Sequence, residues 1–178
     1  TGDLAIELRR QGVPVVVGVD FAQQMLDSAA EKLATNGHSE IVLLRSDAMR
    51  LPFPDGSFDA CTVAFGLRNM IDYQAAVSEM ARVLRPGGRL VILEMTPVRN
   101  PLFQTVFGVY FDRIVPFIGG LISGDREAYS YLPRSVSAFP DARKLGRMMR
   151  RAGLEQVRFK LLTMGTVALH VGVKPAAG

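Results

Sequence analysis

A chain of 178 residues, 48% of them hydrophobic and 21% charged, carries enough apolar side chains for one domain with a core, which excludes a disordered or fibrous polymer. Its single cysteine excludes an internal disulfide, its two histidines without a Cys/His cluster give no metal site, and no run of about 18 apolar residues offers a membrane span. A net charge of +4 and a pI near 9.6 suit an anionic surface, but no basic stretch is interleaved with aromatics, so no nucleic-acid partner is inferred.

Helical spacing from Asp3 to Gln11 gives way to an apolar strand from Val13 to Asp20, then to a helix from Gln23 to about Thr35 and a strand from Ile41 to Arg45. A loop containing Leu51-Pro52-Phe53-Pro54-Asp55-Gly56 leads to the strand Phe58 to Phe65. A helix from about Tyr73 to Leu84 is stopped by Arg85-Pro86-Gly87-Gly88 before the strand Arg89 to Glu94. Strands this continuously apolar are covered on both faces, the mark of a doubly wound, mostly parallel α/β sheet. The helix Asp141 to Ala152 and the runs Val157 to Thr163 and Val167 to Lys174, joined at Met164-Gly165, predict a closing antiparallel hairpin. Within this pattern Cys61 reads as a buried structural thiol and His170 as a structural histidine, while His38 lies in a polar turn.

The opening Thr1-Gly2-Asp3 and the Asp20 that ends the next strand match the second half of a nucleotide-binding βαβ unit. There a glycine turn lets the backbone approach a ligand, and a strand-tip carboxylate holds a ribose diol. Asp20 fits equally well as a helix cap for the segment near Gln23. The first strand of such a unit is missing ahead of Thr1. It is expected between Val13–Asp20 and Phe58–Phe65, and without it two inner edges would carry unpaired backbone groups.

Residues 100–123 change character, with apolar side chains crowded around Asp112 and Arg113 and broken by Pro101, Pro116 and Gly119-Gly120. They read as a lid-like insertion at about 100–137 over a lipophilic substrate or a shallow membrane contact, with a packed core helix or homodimer interface as the plainer alternative. Tyr129, Tyr131 and Ser135 follow it as candidate hydrogen-bond partners for substrate oxygens. Arg143, Lys144, Arg147, Arg150 and Arg151 line a helix whose Leu145, Met148, Met149 and Ala152 recur at helical spacing; this is a basic amphipathic helix, either a solvated face or a membrane-facing one.

The segments Asp47-Ala48, Leu51 to Asp59 and Val83-Leu84-Arg85-Pro86-Gly87-Gly88-Arg89-Leu90 resemble class I S-adenosylmethionine-dependent methyltransferases, which have a Rossmann-like fold. Phe65-Gly66-Leu67-Arg68-Asn69, Tyr129-Ser130-Tyr131-Leu132-Pro133-Arg134-Ser135 and Val167-Ala168-Leu169-His170 narrow the resemblance to the C-methyltransferases of menaquinone and ubiquinone biosynthesis. The resemblance implies one methyltransferase domain over 1–178 that methylates a ring carbon of a polyprenylated quinol, with S-adenosylmethionine as cofactor. The single cysteine and the lack of a membrane-spanning run lead to the expectation of a cytoplasmic protein, with the apolar segment and the basic helix as candidates for peripheral contact with the inner face of a membrane. The rivals are a methyltransferase for another lipophilic acceptor and a cofactor-binding or assembly module without catalysis.

The same resemblance distributes roles. Thr1, Gly2 and Asp3 face the methionine end of the cofactor, Asp20 its ribose, and Asp47 and the Ala48 N–H its adenine, with Phe21 or Met49 as apolar walls and Ala64 beneath it. Arg68 and Asn69 organise catalysis just beyond a strand end, where open α/β sheets place their ligands. A guanidinium stabilises a developing quinolate oxygen or orients a water, and acts as a base only with an improbable pKa. The plainer reading makes Arg68 a cap for the following loop.

Overall fold

The computed structural model describes residues 1–97 and 135–176, so most of the lid-like insertion, with Tyr129 and Tyr131, lies outside the described residues. Its elements are α1 (Asp3–Arg10), β1 (Val17–Asp20), α2 (Gln23–Thr35), β2 (Val42–Arg45), β3 (Phe58–Ala64), α3 (Tyr73–Arg82), β4 (Leu84–Met95), α4 (Ala142–Arg151), β5 (Glu155–Leu162) and β6 (Val167–Val173). This is the α/β alternation read from the sequence, and the C-terminal hairpin is antiparallel as expected.

Most strands keep their expected bounds to within one or two residues, and the two larger departures, at the starts of β1 and β4, have identifiable reasons. β1 starts at Val17 rather than Val13, because Pro14 has no N–H to offer a ladder and the Arg9 guanidinium takes the carbonyls of Val13 and Pro14. β4 starts at Leu84 rather than Arg89: Leu84 pairs with Phe58, residues 85–88 bulge out, and pairing resumes at Ala60 with Arg89. A side chain at position 88 would meet the Arg85 carbonyl oxygen at 2.8 Å and that of Asp59 at 3.1 Å, so only glycine fits there.

The strands form two sheets. β1 and β2 pair in parallel, and the second sheet runs β3-β4-β6-β5, with β3 and β4 parallel and β6 antiparallel to both its neighbours. Each sheet has its own core. Ala5, Ile6, Val16, Leu33 and Ile41 cluster about the smaller one. Leu67, Val77, Met80, Leu84, Leu90, Ile92, Phe139, Leu145 and Met149 cluster about the larger, where each fully buried aliphatic side chain contributes about 1.5–3 kcal/mol.

Capping fixes the helices of the larger sheet. Asp72 and Asp141 stand in extended conformation and accept from the N–H groups of Ala75 and Lys144, both at 2.9 Å. At the far end of α3 the Lys174 ammonium donates to the carbonyl of Arg82 (2.9 Å), an orphan acceptor of that helix end, and to that of Leu84 (2.6 Å), the first residue of β4. α4 buries Leu145, Gly146 and Met149 and leaves Arg143, Lys144, Arg147 and Arg151 exposed. Its apolar side is thus spent on the core. Among the described residues no helix is long and apolar enough to cross a membrane.

Candidate functional site

The parallel strands β1 to β4 end at Asp20, Arg45, Ala64 and Met95, and the sequence-predicted polar residues sit on or just beyond those ends. The Asp20 carbonyl accepts from the Ser46 N–H at 3.1 Å, which ties the tip of β1 to the loop that carries Asp47 and Ala48. Both aspartates fold back on their own loops: Asp20 Oδ1 accepts from the Ala22 N–H at 2.9 Å and Asp47 Oδ1 from the Met49 N–H at 2.8 Å. Such side-chain turns hold a carboxylate in one rotamer with one oxygen engaged. Both carboxylates are half-buried, and the loop arrangement gives a short polar rim at the two strand tips.

Phe21 is 69% exposed beside Asp20. Its ring lies under the Arg45 guanidinium, 5.8 Å from the centroid, and its carbonyl accepts from Arg45 Nε at 3.2 Å, so an aromatic face is presented in a fixed place rather than left to rotate. Ala48 and Met49, by contrast, pack against the larger core. The loop after them is clamped to α3. Glu79 accepts from the Leu51 N–H at 2.7 Å, and Arg82 donates to Asp55 and Glu79 and to the carbonyls of Leu51 and Phe53. The Arg82 contact holds the Glu79 carboxyl below the usual carboxylate range.

Gly2 sits in the left-handed region at φ 82° and begins α1, which has no side-chain cap, so the first backbone N–H groups of that helix remain open to an anion. Asp3 is engaged. Lys32 Nζ lies 2.8 Å from both its carboxylate oxygens, and the Thr1 hydroxyl donates to it at 2.7 Å. These hydrogen bonds, Lys32 first, hold the Asp3 carboxyl down at about 2.

Beyond β3 the chain turns sharply. Phe65 has a φ of 56°, unusual for a bulky residue, and a 3-10 turn over Leu67–Asn69 follows. Arg68 points inward: its Nη1 donates to Glu94 Oε1 at 2.7 Å and to the Phe65 carbonyl at 2.8 Å, and its backbone N–H donates to Glu94 Oε2 at 3.2 Å. The side chain of Arg68 is 13% exposed and that of Glu94 1%. Arg68 Nε is buried without a hydrogen-bond partner, as is the hydroxyl of Thr96, two residues beyond Glu94 in the chain. Asn69 is exposed at the end of the turn and Ala64 half-buried at the end of β3.

Glu94 is the residue that sequence reasoning missed. A lone acidic residue closing the apolar run Leu90-Val91-Ile92-Leu93 was its signal, since a carboxylate in such a strand is buried only with a partner. Ser135 is half-buried at the start of the second described stretch. His170 is buried with Nε2 2.8 Å from the Ala142 carbonyl oxygen, a structural contact as expected. Burial raises the Cys61 thiol to about 11, leaving it unsuited to nucleophilic work. Among the described residues no group of three His, Cys, Asp or Glu side chains could hold a metal ion.

Residues 1–174 match the sequence model of the ubiE/COQ5 methyltransferase family. The chain is 52% identical over 176 residues to a demethylmenaquinone methyltransferase of Thermus thermophilus, covering 98% of this chain and 79% of that one. It is 42% identical over 178 residues to a ubiquinone/menaquinone biosynthesis C-methyltransferase UbiE of Saccharophagus degradans, covering 98% of this chain and 72% of that one. Among solved structures it resembles the [4+2]-cyclase SpnF, with a TM-score of 0.75 at 21% identity over 99% of this chain and 72% of that one. It also resembles a putative methyltransferase of Bacillus halodurans, with a TM-score of 0.70 at 18% identity over 98% of this chain and 89% of that one. At these identities the structural likeness establishes the Rossmann-like fold alone.

Proposed function

The chain belongs to the ubiE/COQ5 methyltransferase family, and from that premise we propose that it methylates a ring carbon of a polyprenylated quinol, converting a demethylmenaquinol or the corresponding ubiquinone precursor, with S-adenosylmethionine as donor. The observation that carries this reading is the family match along residues 1–174, joined to relatives named for that reaction at 41–52% identity.

The donor is a cation with a carboxylate at one end, a diol in the middle and an adenine at the other, and the strand-tip residues suit each part. The uncapped start of α1 at Thr1-Gly2-Asp3 suits the amino-acid end, with Lys32 sharing the Asp3 charge. Asp20 suits the diol, while Asp47, the Ala48 N–H and the exposed Phe21 ring suit the base, with Ala64 beneath. When bound, the cofactor supplies an electrophilic methyl group on a positively charged sulfur.

What remains for the chain is to hold the ring carbon in line, to support negative charge on the quinol oxygen and to let the ring proton leave. Arg68 does the second. A permanently charged guanidinium cannot act as a base, but its unspent Nε–H can donate to an oxygen. Neither histidine serves as the base: His170 is committed to the Ala142 carbonyl, and His38 lies 3.5 Å from Glu40 in the turn before β2. The ring proton therefore passes to a water held by Arg68 and Asn69. Tyr129, Tyr131 and Ser135 take the quinol oxygens, within one methyltransferase domain whose segment at about 100–137 covers the lipophilic tail. The exposed cations of α4 favour a peripheral encounter with an anionic membrane, where such a substrate resides.

The test is turnover. Reduced demethylmenaquinone and S-adenosylmethionine incubated with the protein should yield a product carrying one more ring methyl by mass spectrometry. Cofactor binding by calorimetry without methyl transfer to any quinol would favour the non-catalytic module, and transfer to a sterol or fatty acyl acceptor alone would favour the other lipophilic substrate.

A further inference from the structure

We propose that Glu94 is a positioning residue for the reaction, fixing both the backbone and the guanidinium of Arg68; this rests on the methyltransferase reading above. Three donors converge on one buried carboxylate. Oε1 accepts from Arg68 Nη1 at 2.7 Å and from the Met95 N–H at 2.9 Å, and Oε2 accepts from the Arg68 N–H at 3.2 Å. The carboxylate thus holds Arg68 at two points, side chain and main chain, across 26 residues of sequence. A guanidinium pinned at Nη1 by Glu94 and the Phe65 carbonyl has no rotational freedom left, so its Nε–H, buried and without a protein partner, keeps one direction. A fixed donor with an unmet hydrogen bond is what a developing oxyanion requires.

Glu94 does not act on the substrate itself. It is 1% exposed, and both oxygens are occupied. Nor is a buried ion pair of this kind explained by stability, since a well-packed apolar pair of similar volume is commonly as stable. Its consequence here is orientation. The pair also compensates charge, so the turn after β3 presents a directional hydrogen bond to the quinol oxygen without a net positive charge beside the cationic donor.

Glu94→Gln tests this. A glutamine has one acceptor oxygen for the three donors, and its amide NH2 faces either the Arg68 N–H or the guanidinium. The variant should lower kcat by roughly 100-fold, as a misplaced group does, while the Kd for S-adenosylhomocysteine stays within about twofold, a difference too small to signify a lost contact. The double variant Arg68→Gln/Glu94→Gln should be no slower than Arg68→Gln alone, because a residue that acts only through Arg68 has nothing further to lose. Wild-type kcat in Glu94→Gln, or a double variant slower than Arg68→Gln by the full Glu94→Gln factor, overturns the proposal. If Glu94→Gln fails to fold, the double variant, which leaves no buried unpaired charge, is compared with Arg68→Gln alone: an equal kcat supports the positioning role and a kcat lower by tenfold or more, about 1.4 kcal/mol, overturns it. Should the unaltered protein methylate no quinol, the functional reading fails by itself. The Arg68 Nε–H resonance then decides the positioning: it should be ordered in the unaltered protein and mobile in Glu94→Gln, and equal mobility in the two would refute it.

Discussion

Asp20 separates a structural from a ligand-binding carboxylate within one side chain. Its Oδ1 holds the Ala22 N–H at 2.9 Å, and an asparagine in the same rotamer can keep that bond while losing the charge. Asp20→Asn should therefore leave the turn and the unfolding midpoint nearly unchanged, whereas Asp20→Ala removes the turn as well. A charged hydrogen bond to a ribose diol is worth about 1.5–3 kcal/mol, so Asp20→Asn should weaken S-adenosylmethionine roughly 10- to 150-fold. S-adenosylhomocysteine should weaken by the same factor, because the ribose is common to both. Calorimetry with the two ligands, beside thermal melts of both variants, measures all of this. Unchanged affinity for both ligands in a folded Asp20→Asn protein would remove Asp20 from the site and leave it a turn residue. Loss confined to the sulfonium compound would make its effect a charge effect rather than a diol contact.

Arg68→Lys should reduce kcat much more than cofactor affinity, since an ammonium that replaces Nη1 against Glu94 and the Phe65 carbonyl has no second nitrogen to place an N–H where Nε does; unchanged turnover in steady-state assays would reduce Arg68 to a loop cap. Burial lowers the His170 pKa, outweighing the Ala142 hydrogen bond that raises it. The fold then prefers the neutral ring, so its stability is intact above the unfolded value of about 6.5 and falls as the pH drops below it, by at most about 1.4 kcal/mol per pH unit. Urea melts at pH 7.5 and 5 should show a steeper loss for the unaltered protein than for His170→Gln; equal slopes would contradict the assignment. With burial raising its thiol to about 11, Cys61 should resist maleimide at pH 7.5 in the folded protein and react after denaturation, and rapid labelling of the folded state would show the strand to be open there.

The alternation of helix and strand was legible because apolar periodicity reports burial directly, and several strand tips were legible because the run ends on a polar residue, as at Asp20, Arg45 and Glu94. What failed was local and had local causes. Pro14 and Arg9 together delay the start of β1 to Val17, because a guanidinium from the preceding helix takes carbonyls that apolar periodicity assigns to the ladder. Pro86-Gly87-Gly88 reads as a helix stop, and it does follow α3, but in three dimensions it is a bulge inside a ladder. Apolar runs do not say which strands pair, and among the described residues they divide into the sheets β1-β2 and β3-β4-β6-β5. Of the site, Asp3 read in the sequence as facing the methionine end of the cofactor and is bound to Lys32, 29 residues away. Glu94 looked like the end of a strand and is the partner of Arg68. Both pairings are tertiary, and no spacing rule reaches them.

For Asp20 and Arg68 the sequence offered two readings each, cap or ligand contact, as though one excluded the other. The geometry divides them by atom instead. Asp20 commits Oδ1 to the turn, and Arg68 commits Nη1 to the Phe65 carbonyl and to Glu94, while Arg68 Nε remains unspent. The committed atom sets the rotamer, and the rotamer sets where the remaining atom points, so the local bond supplies the preorganisation that a binding or catalytic contact needs. For Asp20 that bond closes a turn and is not the helix cap, since the N-cap of α2 is Ala22, without a side-chain bond. A local bond at such a residue therefore does not count against a functional role. The discriminating substitution is one that preserves the local bond and changes only the other atom, as Asp20→Asn does, and a protein that tolerates the loss of the local bond but not of the second atom would show which of the two is under functional demand.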